Sequence, residues 1–286
     1  IAQALPAPPR PRPANGPGTG DDPPDKTTMR RGCRLSPQKR LTMTRTTTDL
    51  TLIGAGIVGA SAALQLQERF PALTIRCLDK ETRCARHQTG RNSGVVHAGV
   101  YYTPGSLKAE FCKRGAALTR QFCTEHDLPY TRCGKLLVAT DELERERMIA
   151  LEHRCGENEI AVHRLSESEL RKREPRLSGL GALYVPATAI TDYVRITERM
   201  LALFEARGGT IHYGAEVTGI IETKEHVEIS AGDLVIESGC LVVCGGLMAD
   251  RLARLMRIGL DFRIVPFRGE YYTSTGRLER CGHPSS

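Results

Sequence analysis

Residues 49–80 constrain the fold more than any other part of the chain. The run DLTLI is typical of a buried strand, GAGIVG follows it as a turn, and ASAALQLQERF has the apolar spacing of a helix. A second apolar run, LTIRCLD, ends at Asp79. This succession of strand, helix and strand predicts a βαβ unit, and therefore an α/β fold built on a parallel sheet.

Three glycines in the first turn of this unit, Gly54, Gly56 and Gly59, match the pattern GxGxxG. The pattern permits a tight turn, lets the backbone approach a pyrophosphate, and brings the helix close to the strand. Asp79 follows Gly59 by 20 residues and is placed to accept hydrogen bonds from ribose hydroxyls. Its charge disfavours a 2′-phosphate, and hence NADP. The alternative is an exposed acid at a strand end, and the motif leaves NAD and FAD open.

The rest of the chain shows further periodic segments. Helices are predicted at 106–127, 141–156 and 192–207, with the short strand GKLLVAT between the first two. Successive antiparallel strands are predicted for TIHYG, AEVTGIIE, HVEIS and DLVIE, and a buried strand for CLVVCGG. The last segment, FRIVPFRGEYYTS, is predicted to form a long final strand.

Residues 1–48 differ from the remainder in composition and charge. They carry nine of the sixteen prolines without apolar periodicity, so we predict a disordered Pro/Arg-rich extension. We favour the interpretation that this extension is translated sequence upstream of a natural start at Met43. A transit peptide is the alternative. This stretch has nine Lys/Arg against three Asp/Glu, which leaves 31 basic and 30 acidic residues elsewhere. The balance argues against a nucleic-acid partner.

The ten cysteines form no CxxC pair, which favours reduced structural cysteines over a zinc site or a disulfide framework. We therefore predict no metal. No apolar run approaches the roughly 20 residues that a membrane-spanning helix requires. A cytoplasmic protein is expected, with a peripheral position at the inner face of the membrane as the alternative.

A second segment, residues 90–115, is unusually rich in small and polar residues. Its sequence, GRNSGVVHAGVYYTPGSLKAEFCKRG, resembles the signature of L-2-hydroxyglutarate oxidases and dehydrogenases in the D-amino-acid-oxidase-like (DAO) family of FAD enzymes. CGGLMADRLA at 244–253 and PFRGEYY at 266–272 resemble later family segments in the same order. The resemblance runs from about residue 49 to about residue 272 and selects FAD as the cofactor.

The resemblance implies a Rossmann-like FAD-binding domain interleaved with an antiparallel-sheet substrate domain. The FAD-binding parts are expected at about 49–130 and 188–258, and the substrate-domain parts at about 131–187 and 259–286. Family members continue further, so the DAO-like region, 49–286, is expected to be incomplete at its C-terminal end.

The resemblance also implies which residues hold the cofactor. They lie in the βαβ unit, in the loop expected to pass the pyrophosphate and flavin, in the strand whose backbone meets adenine, and in a late glycine turn. They are Gly54, Gly56, Ile57, Val58, Gly59, Asp79 and Lys80; Arg91, Asn92, Ser93, Gly94 and Val95; Val217; and Gly245 and Gly246.

The expected chemistry needs a base for the C2 hydroxyl and partners for two carboxylates. His97 is the candidate base because its unperturbed pKa of about 6.5 suits proton acceptance, and a loop-ordering role is its alternative. Arg268 is the first candidate for a carboxylate, since a guanidinium binds it bidentately, with Tyr271 in the same segment. Tyr101 and Lys108 are further substrate candidates that could equally pack at a surface.

The implied function is FAD-dependent oxidation of L-2-hydroxyglutarate to 2-oxoglutarate, with electrons passed to oxygen or to a quinone at a membrane surface. Two alternatives stay open. One is a DAO-family oxidase of another hydroxy acid or an amine. The other is a catalytically inactive, truncated FAD-binding remnant.

Overall fold

The computed structural model describes residues 2–3, 43–267 and 269 of the chain. The helices are α1 (Ile57–Arg69), α2 (Leu107–Glu125), α3 (Glu142–Glu157), α4 (Glu167–Arg173), α5 (Tyr193–Ala206) and α6 (Ala249–Leu255). The strands are β1 (Ala2–Gln3), β2 (Thr44–Ile53), β3 (Ile75–Asp79), β4 (Val95–Val96), β5 (Tyr130–Thr131), β6 (Lys135–Ala139), β7 (His163–Leu165), β8 (Gly181–Val185), β9 (Ala189–Thr191), β10 (Thr210–Tyr213), β11 (Val217–Glu222), β12 (Val227–Ala231) and β13 (Leu234–Val243).

The main sheet contains six strands in the order β10, β3, β2, β13, β12, β11. The first four strands in this order, β10, β3, β2 and β13, are parallel to one another. Strands β12 and β11 extend the sheet in antiparallel pairing. Helix α1 connects β2 to its neighbour β3, so residues 49–80 form the expected βαβ unit. The predicted α/β fold class is confirmed.

Strand β2 begins at Thr44, within the stretch that the sequence assigned to the disordered extension. Its first five residues pair with Leu234–Ser238 of β13 in parallel register. The run TRTTT is rich in β-branched threonine, which favours a pleated conformation once a neighbouring strand is present. The two residues of β1 also pair, with Leu136 and Leu137 of β6.

Three strand predictions differ from the structure. Strand β10 pairs parallel with β3, because α5 carries the chain back across the sheet before it. Most of DLVIE and the first part of CLVVCGG form one continuous strand, β13, whose register with β2 skips Gly239. Residues 262–267, predicted as the start of a long strand, have no regular structure, and Phe267 is 91% exposed. Within the described residues no neighbouring strand pairs with this segment.

Helix α1 lies close to the main sheet because the residues at the contact are small. Ala60 and Ala63 are fully buried and share a cluster with Leu52 and Ile75 of the sheet. Helix α5 adds Phe204 to the same cluster. The close approach places the first turn of α1 directly at the end of β2.

A second, antiparallel sheet is formed by β6, β8 and β7, with β1 at its other edge. Leu137 packs on one face with Met148 of α3 and Val100, while Leu136 packs on the other face with Leu170 of α4. The small sheet β4–β9–β5 adjoins it in the chain, since β9 follows β8. Assignment of residues 131–187 to substrate binding stays a prediction.

No helix in the described part of the chain has both the length and the apolar character needed to cross a membrane.

Candidate functional site

The carboxyl ends of the parallel strands meet at one edge of the main sheet. Ile53 of β2 lies beside Leu78 of β3 and Val243 of β13 in the ladder. The glycine loop follows β2, Asp79 ends β3, and Cys244 follows β13. Ligands of open parallel sheets bind at this edge, where neighbouring connections leave in opposite directions.

The three glycines of the loop have different surroundings. Gly54 has φ +109°, and a Cβ there would lie 2.5 Å from the carbonyl oxygen of Cys244. A Cβ at Gly59 would collide with the carbonyl oxygen of Gly54. At Gly56 the nearest atom to a Cβ is Oγ1 of Thr89, at 3.2 Å. The outer two glycines therefore serve protein packing, and Gly56 is the one past which a ligand can run.

Helix α1 presents its N-terminus to this space. Its N-cap residue, Gly56, is extended and has no side chain to accept a hydrogen bond from the first turn. The amide of Ile57 donates to Oγ1 of Thr89 at 3.0 Å, and the Val58 side chain is 66% exposed. The dipole of a helix of this length favours an anionic group such as a phosphate here.

Asp79 connects the two strands of the βαβ unit. Its carboxylate accepts a hydrogen bond from the amide of Ala55 at 2.7 Å and another from the amide of Glu81 at 2.8 Å. A carboxylate offers about four acceptor positions, so Asp79 keeps capacity for ribose hydroxyls. The adjacent Lys80 is exposed, and its Nζ lies 3.8 Å from Oε1 of Glu81.

The loop that carries Arg91 to Val95 is held mainly by Asn92. The amide nitrogen of its side chain donates to the carbonyl oxygens of Gln88 and Thr89, at 3.1 and 2.6 Å. The Asn92 Oδ1 accepts from the amide of Gly94 at 2.7 Å. The Asn92 side chain thus shapes its own loop, whereas Arg91 and Ser93 are exposed.

Gly94 marks the point where this loop joins the small sheet. It has φ +68°, and a Cβ there would lie 2.7 Å from the carbonyl oxygen of Thr191. The Thr191 amide donates to the Gly94 carbonyl at 2.8 Å, and Val95 pairs with Ile190 in the following strand. The loop therefore connects the start of α1, through Thr89, to the small sheet β4–β9–β5, through Val95.

The late glycine turn also adjoins the site. The amide of Cys244 donates to the carbonyl of Ile53 at 2.8 Å, and a Cβ at Gly246 would lie 3.3 Å from Oε1 of Gln88. Gly245 is the N-cap of the short 3-10 turn Gly246–Met248. Residues 244–246 consequently lie between the glycine loop and the Gln88 turn.

Val217 is the first residue of β11. Its side chain is half-buried and packs with the clusters that contain Leu78 and Ile53, the penultimate residue of β3 and the last residue of β2. The backbone at Val217 is irregular, since the register with β12 shifts between Val217 and Gly219. The predicted adenine contact of Val217 stays a prediction.

A cleft of about 550 Å³ opens where β4 faces α2. Its walls include His97, Lys108, Phe111, Cys112 and Tyr193. The Cys112 thiol donates to the carbonyl oxygen of His97 at 3.3 Å, which ties the histidine backbone to α2. Lys108 is exposed at this wall. The cleft begins only a few residues beyond the loop that contacts the first turn of α1.

The His97 residue is exposed, but the surrounding protein still shields part of its imidazole ring from water. This desolvation lowers the pKa of His97, and the positive charge of Lys135 lowers it further. A lowered pKa keeps the imidazole neutral at physiological pH, which is the state required of a base. Partial burial raises the pKa of the nearby Tyr101, so its phenol stays protonated.

Sequence reasoning missed two residues of this region, Thr89 and Lys135. Thr89 lies one residue before the segment that carried the family resemblance, and only its contact with Ile57 reveals a role. Lys135 opens a strand whose other residues are apolar, a charged exception that could have drawn attention. Arg268 and Tyr271, two of the predicted substrate residues, lie outside the described residues.

These features fit an extended dinucleotide with an anionic centre. The start of α1 has no side-chain cap, the Asp79 carboxylate has free acceptor capacity, and a ligand could pass close to the backbone at Gly56. The segment that follows the loop, residues 95–97, lines the cleft that contains His97, whose lowered pKa keeps its imidazole neutral. In the described part of the chain, no group of three or more His, Cys, Asp or Glu residues could hold a metal ion.

Comparisons with known proteins extend this picture. A sequence model of the FAD dependent oxidoreductase family, DAO, matches residues 49–284. L-2-hydroxyglutarate dehydrogenase from Escherichia coli is 49% identical over 227 residues, which cover 78% of this chain and 53% of the relative. The mitochondrial L-2-hydroxyglutarate dehydrogenase from Homo sapiens is 39% identical over 236 residues, covering 78% and 51%.

The fold also matches a solved flavoprotein. An L-alpha-glycerophosphate oxidase from Mycoplasma pneumoniae, with FAD bound, superposes with a TM-score of 0.68 at 24% identity, covering 74% of this chain and 57% of that chain. At this identity the likeness concerns the fold alone. The chain spans about half the length of the dehydrogenases it matches.

Proposed function

The chain belongs to the DAO family of FAD-dependent oxidoreductases, and on this basis we propose that it oxidises L-2-hydroxyglutarate to 2-oxoglutarate. FAD is the cofactor of the family. The substrate is inferred from relatives named L-2-hydroxyglutarate dehydrogenase at 39–49% identity. Because the chain covers about half of each, the activity of the whole protein is part of the proposal.

The geometry of the site supports a specific set of residues that would hold FAD. The first turn of α1, past Gly56, would receive the pyrophosphate, and Asp79 would receive the adenosine ribose. The loop after Thr89 and the turn at Gly245 would border the flavin half. FAD supplies a hydride acceptor at the flavin ring when bound.

The reaction removes a hydride from C2 and a proton from its hydroxyl, which converts the alcohol to a ketone. We assign the proton to His97, because its lowered pKa keeps it neutral and ready to accept. The hydrogen bond from Cys112 to the His97 carbonyl holds this part of the chain in place. The hydroxyl proton would pass to His97, and the C2 hydride with its two electrons would pass to bound FAD, so the step balances.

The substrate carries two carboxylates, which need cationic or hydrogen-bonding partners. Arg268 and Tyr271, together with Tyr101 and Lys108, remain the proposed substrate-binding residues from the sequence. Of these, Lys108 is at the wall of the cleft that contains His97.

One observation carries the proposal. The loop that contacts the start of α1 through Thr89 continues without interruption into the cleft at His97, eight residues later. A dinucleotide held at the helix can thus extend toward a base. Oxygen or a quinone at a membrane surface would then reoxidise the flavin, and a cytoplasmic protein, peripheral to the inner face of the membrane in the quinone case, fits either acceptor.

The test is anaerobic reduction of the flavin. The purified chain is loaded with FAD, and its visible absorbance is followed on addition of L-2-hydroxyglutarate, D-2-hydroxyglutarate, L-lactate or L-glutamate. Bleaching by L-2-hydroxyglutarate alone supports the proposal. Bleaching by another compound supports an oxidase of a different hydroxy acid or amine. A flavin that none of them reduces supports the inactive remnant and overturns the proposed reaction.

A further inference from the structure

Lys135 is a buried lysine at the junction of the second sheet and the segment that carries His97. It is the first residue of β6 and is only 5% exposed. Among the described residues, the lysine ion pairs are those of Lys80 with Glu81 and Lys113 with Glu159. Lys135 therefore has no carboxylate partner in the described part of the chain. A desolvated ammonium without a counterion is unfavourable unless a ligand supplies one.

The backbone before Lys135 is shaped to hold it there. Gly134 has φ +67°, and a Cβ at this position would lie 2.6 Å from the hydroxyl oxygen of Tyr184. The Gly134 amide donates to the carbonyl of Thr188 at 3.0 Å. Lys135 is then paired with Val185 at the end of the β6–β8 ladder, whose two strands are the inner strands of the sheet. The lysine is thus placed by a tight turn and two strands, which fixes its position more firmly than a surface loop would.

The face of β6 that carries Lys135 is directed at residues 97–101. Residues alternate between the two faces of a strand, so Lys135 shares its face with Leu137, which packs with Val100. The Lys135 Nζ lies 5.1 Å from the centroid of the Tyr101 ring. Tyr101 is itself 43% exposed, so solvent reaches the ring beside which the ammonium lies.

The charge of Lys135 also reaches His97. Burial lowers the pKa of Lys135, and its positive charge contributes to the lowered pKa of His97. The Lys135 ammonium therefore lies beside the Tyr101 ring and acts electrostatically on His97, four residues before Tyr101 in the chain. This combination of a cation, a hydrogen-bond donor and a base suits an anionic molecule that loses a proton.

We propose that Lys135 binds one carboxylate of the dicarboxylate substrate, with Tyr101 beside it, and so determines specificity for a dicarboxylate. This inference rests on the proposed function. A bound carboxylate provides the counterion that the described residues lack, and an ammonium held by a sheet selects the ligand by its distance from the reacting carbon. The alternative is a structural lysine whose ammonium is stabilised by the face of the Tyr101 ring.

The test compares ligand binding by the FAD-loaded full chain and three variants. Isothermal titration measures the affinity for 2-oxoglutarate and glutarate and, as monocarboxylate probes, for 2-oxobutyrate and butyrate. Lys135→Met is expected to weaken dicarboxylate binding by about 10-fold to 100-fold and to leave monocarboxylate binding nearly unchanged. Lys135→Arg retains the charge and should retain the preference. Lys224→Met, in the exposed turn after β11, is the matched control.

A second measurement needs no variant. NMR titration of the histidines in the wild-type chain reports the pKa of His97 with and without saturating glutarate. Glutarate bound at Lys135 cancels its charge, so the pKa of His97 should rise, and butyrate should raise it less. An unchanged titration of His97 in bound glutarate overturns the inference, as does a Lys135→Met variant with wild-type selectivity.

Failure of this inference and failure of the proposed function have different signatures. If L-2-hydroxyglutarate bleaches the flavin but Lys135→Met keeps dicarboxylate selectivity, the function stands and the role of Lys135 is wrong. If glutarate binding depends on Lys135 but no 2-hydroxy acid bleaches the flavin, the anion site stands and the reaction is wrong. Absence of any dicarboxylate binding to the wild-type chain contradicts the inference directly.

Discussion

The carboxylate of Asp79 accepts a hydrogen bond from the backbone amide of Ala55 at 2.7 Å. This contact connects the end of β3 to the glycine loop after β2, so Asp79 has a structural role as well as its expected contact with a ribose. The amide of Glu81 donates to the other carboxylate oxygen at 2.8 Å.

Asp79→Ala is expected to lower both stability and FAD content. Loss of two hydrogen bonds to a charged acceptor should reduce the free energy of unfolding by about 2–4 kcal/mol. Urea denaturation of the apoprotein and the flavin-to-protein absorbance ratio measure the two effects. Asp233→Ala, at an exposed turn between β12 and β13, is the control. Full FAD content in Asp79→Ala would contradict the ribose assignment.

Substitution of Gly59 should reduce stability, whereas substitution of Gly56 should reduce FAD binding. Gly59→Ala places a methyl group against the Gly54 carbonyl oxygen, so α1 cannot pack on β2 and the protein should be strongly destabilised. Gly56→Ala meets only Oγ1 of Thr89, so the chain should fold and lose affinity for FAD. Thermal melting and equilibrium dialysis with FAD separate these outcomes.

Gly156→Ala in α3 is the matched control for the glycine pair. Apart from its chain neighbours and its own helix backbone, no atom lies within 4 Å of its added Cβ, and alanine favours a helix by about 0.5–1 kcal/mol. It should therefore melt at or above the wild-type temperature. If Gly56→Ala binds FAD as tightly as Gly156→Ala, the pyrophosphate does not pass Gly56.

Thr89→Val should weaken the contact between the flavin loop and α1. The side-chain oxygen of Thr89 accepts from the Ile57 amide at 3.0 Å, and valine has the same shape without an acceptor. We expect a loss of about 1 kcal/mol in the free energy of unfolding. Thr89→Ser, which keeps the hydroxyl, should remain close to wild type. Equal stability of the two variants would show that this hydrogen bond contributes little.

His97→Gln should slow flavin reduction by about 10²-fold to 10⁴-fold while flavin content stays normal, the usual loss when a general base is removed. His153→Gln, on the exposed side of α3, is the control. Rapid anaerobic mixing with L-2-hydroxyglutarate measures the rate. An unchanged rate in His97→Gln would assign the histidine to loop ordering.

The pH dependence of the same rate tests the electrostatics of His97. Desolvation and the charge of Lys135 lower the pKa of His97, so its neutral, proton-accepting form persists below pH 6.5. The rate constant for reduction should therefore stay constant as pH falls through about 6.5 and decline only at lower pH. A decline centred at or above pH 6.5 would contradict this assignment.

Much of the cofactor half could be predicted from local patterns. The glycine spacing, the apolar runs on either side and Asp79 all lie within residues 49–80, and the βαβ unit forms there. Strand direction was harder to predict. The segment TIHYG has the alternation of an antiparallel strand, yet it pairs parallel with β3 because a helix precedes it.

The sequence by itself determined the α/β fold class, the glycine loop and the likeness to the DAO family, because these depend on spacing within short segments. Only the tertiary structure decided that Thr89 supports the start of α1 and that Lys135 lies 5.1 Å from the Tyr101 ring. Thr89 is 32 residues from Ile57, and Lys135 is 34 residues from Tyr101. Chain segments so far apart meet through sheet pairing and packing, and no local pattern records such contacts.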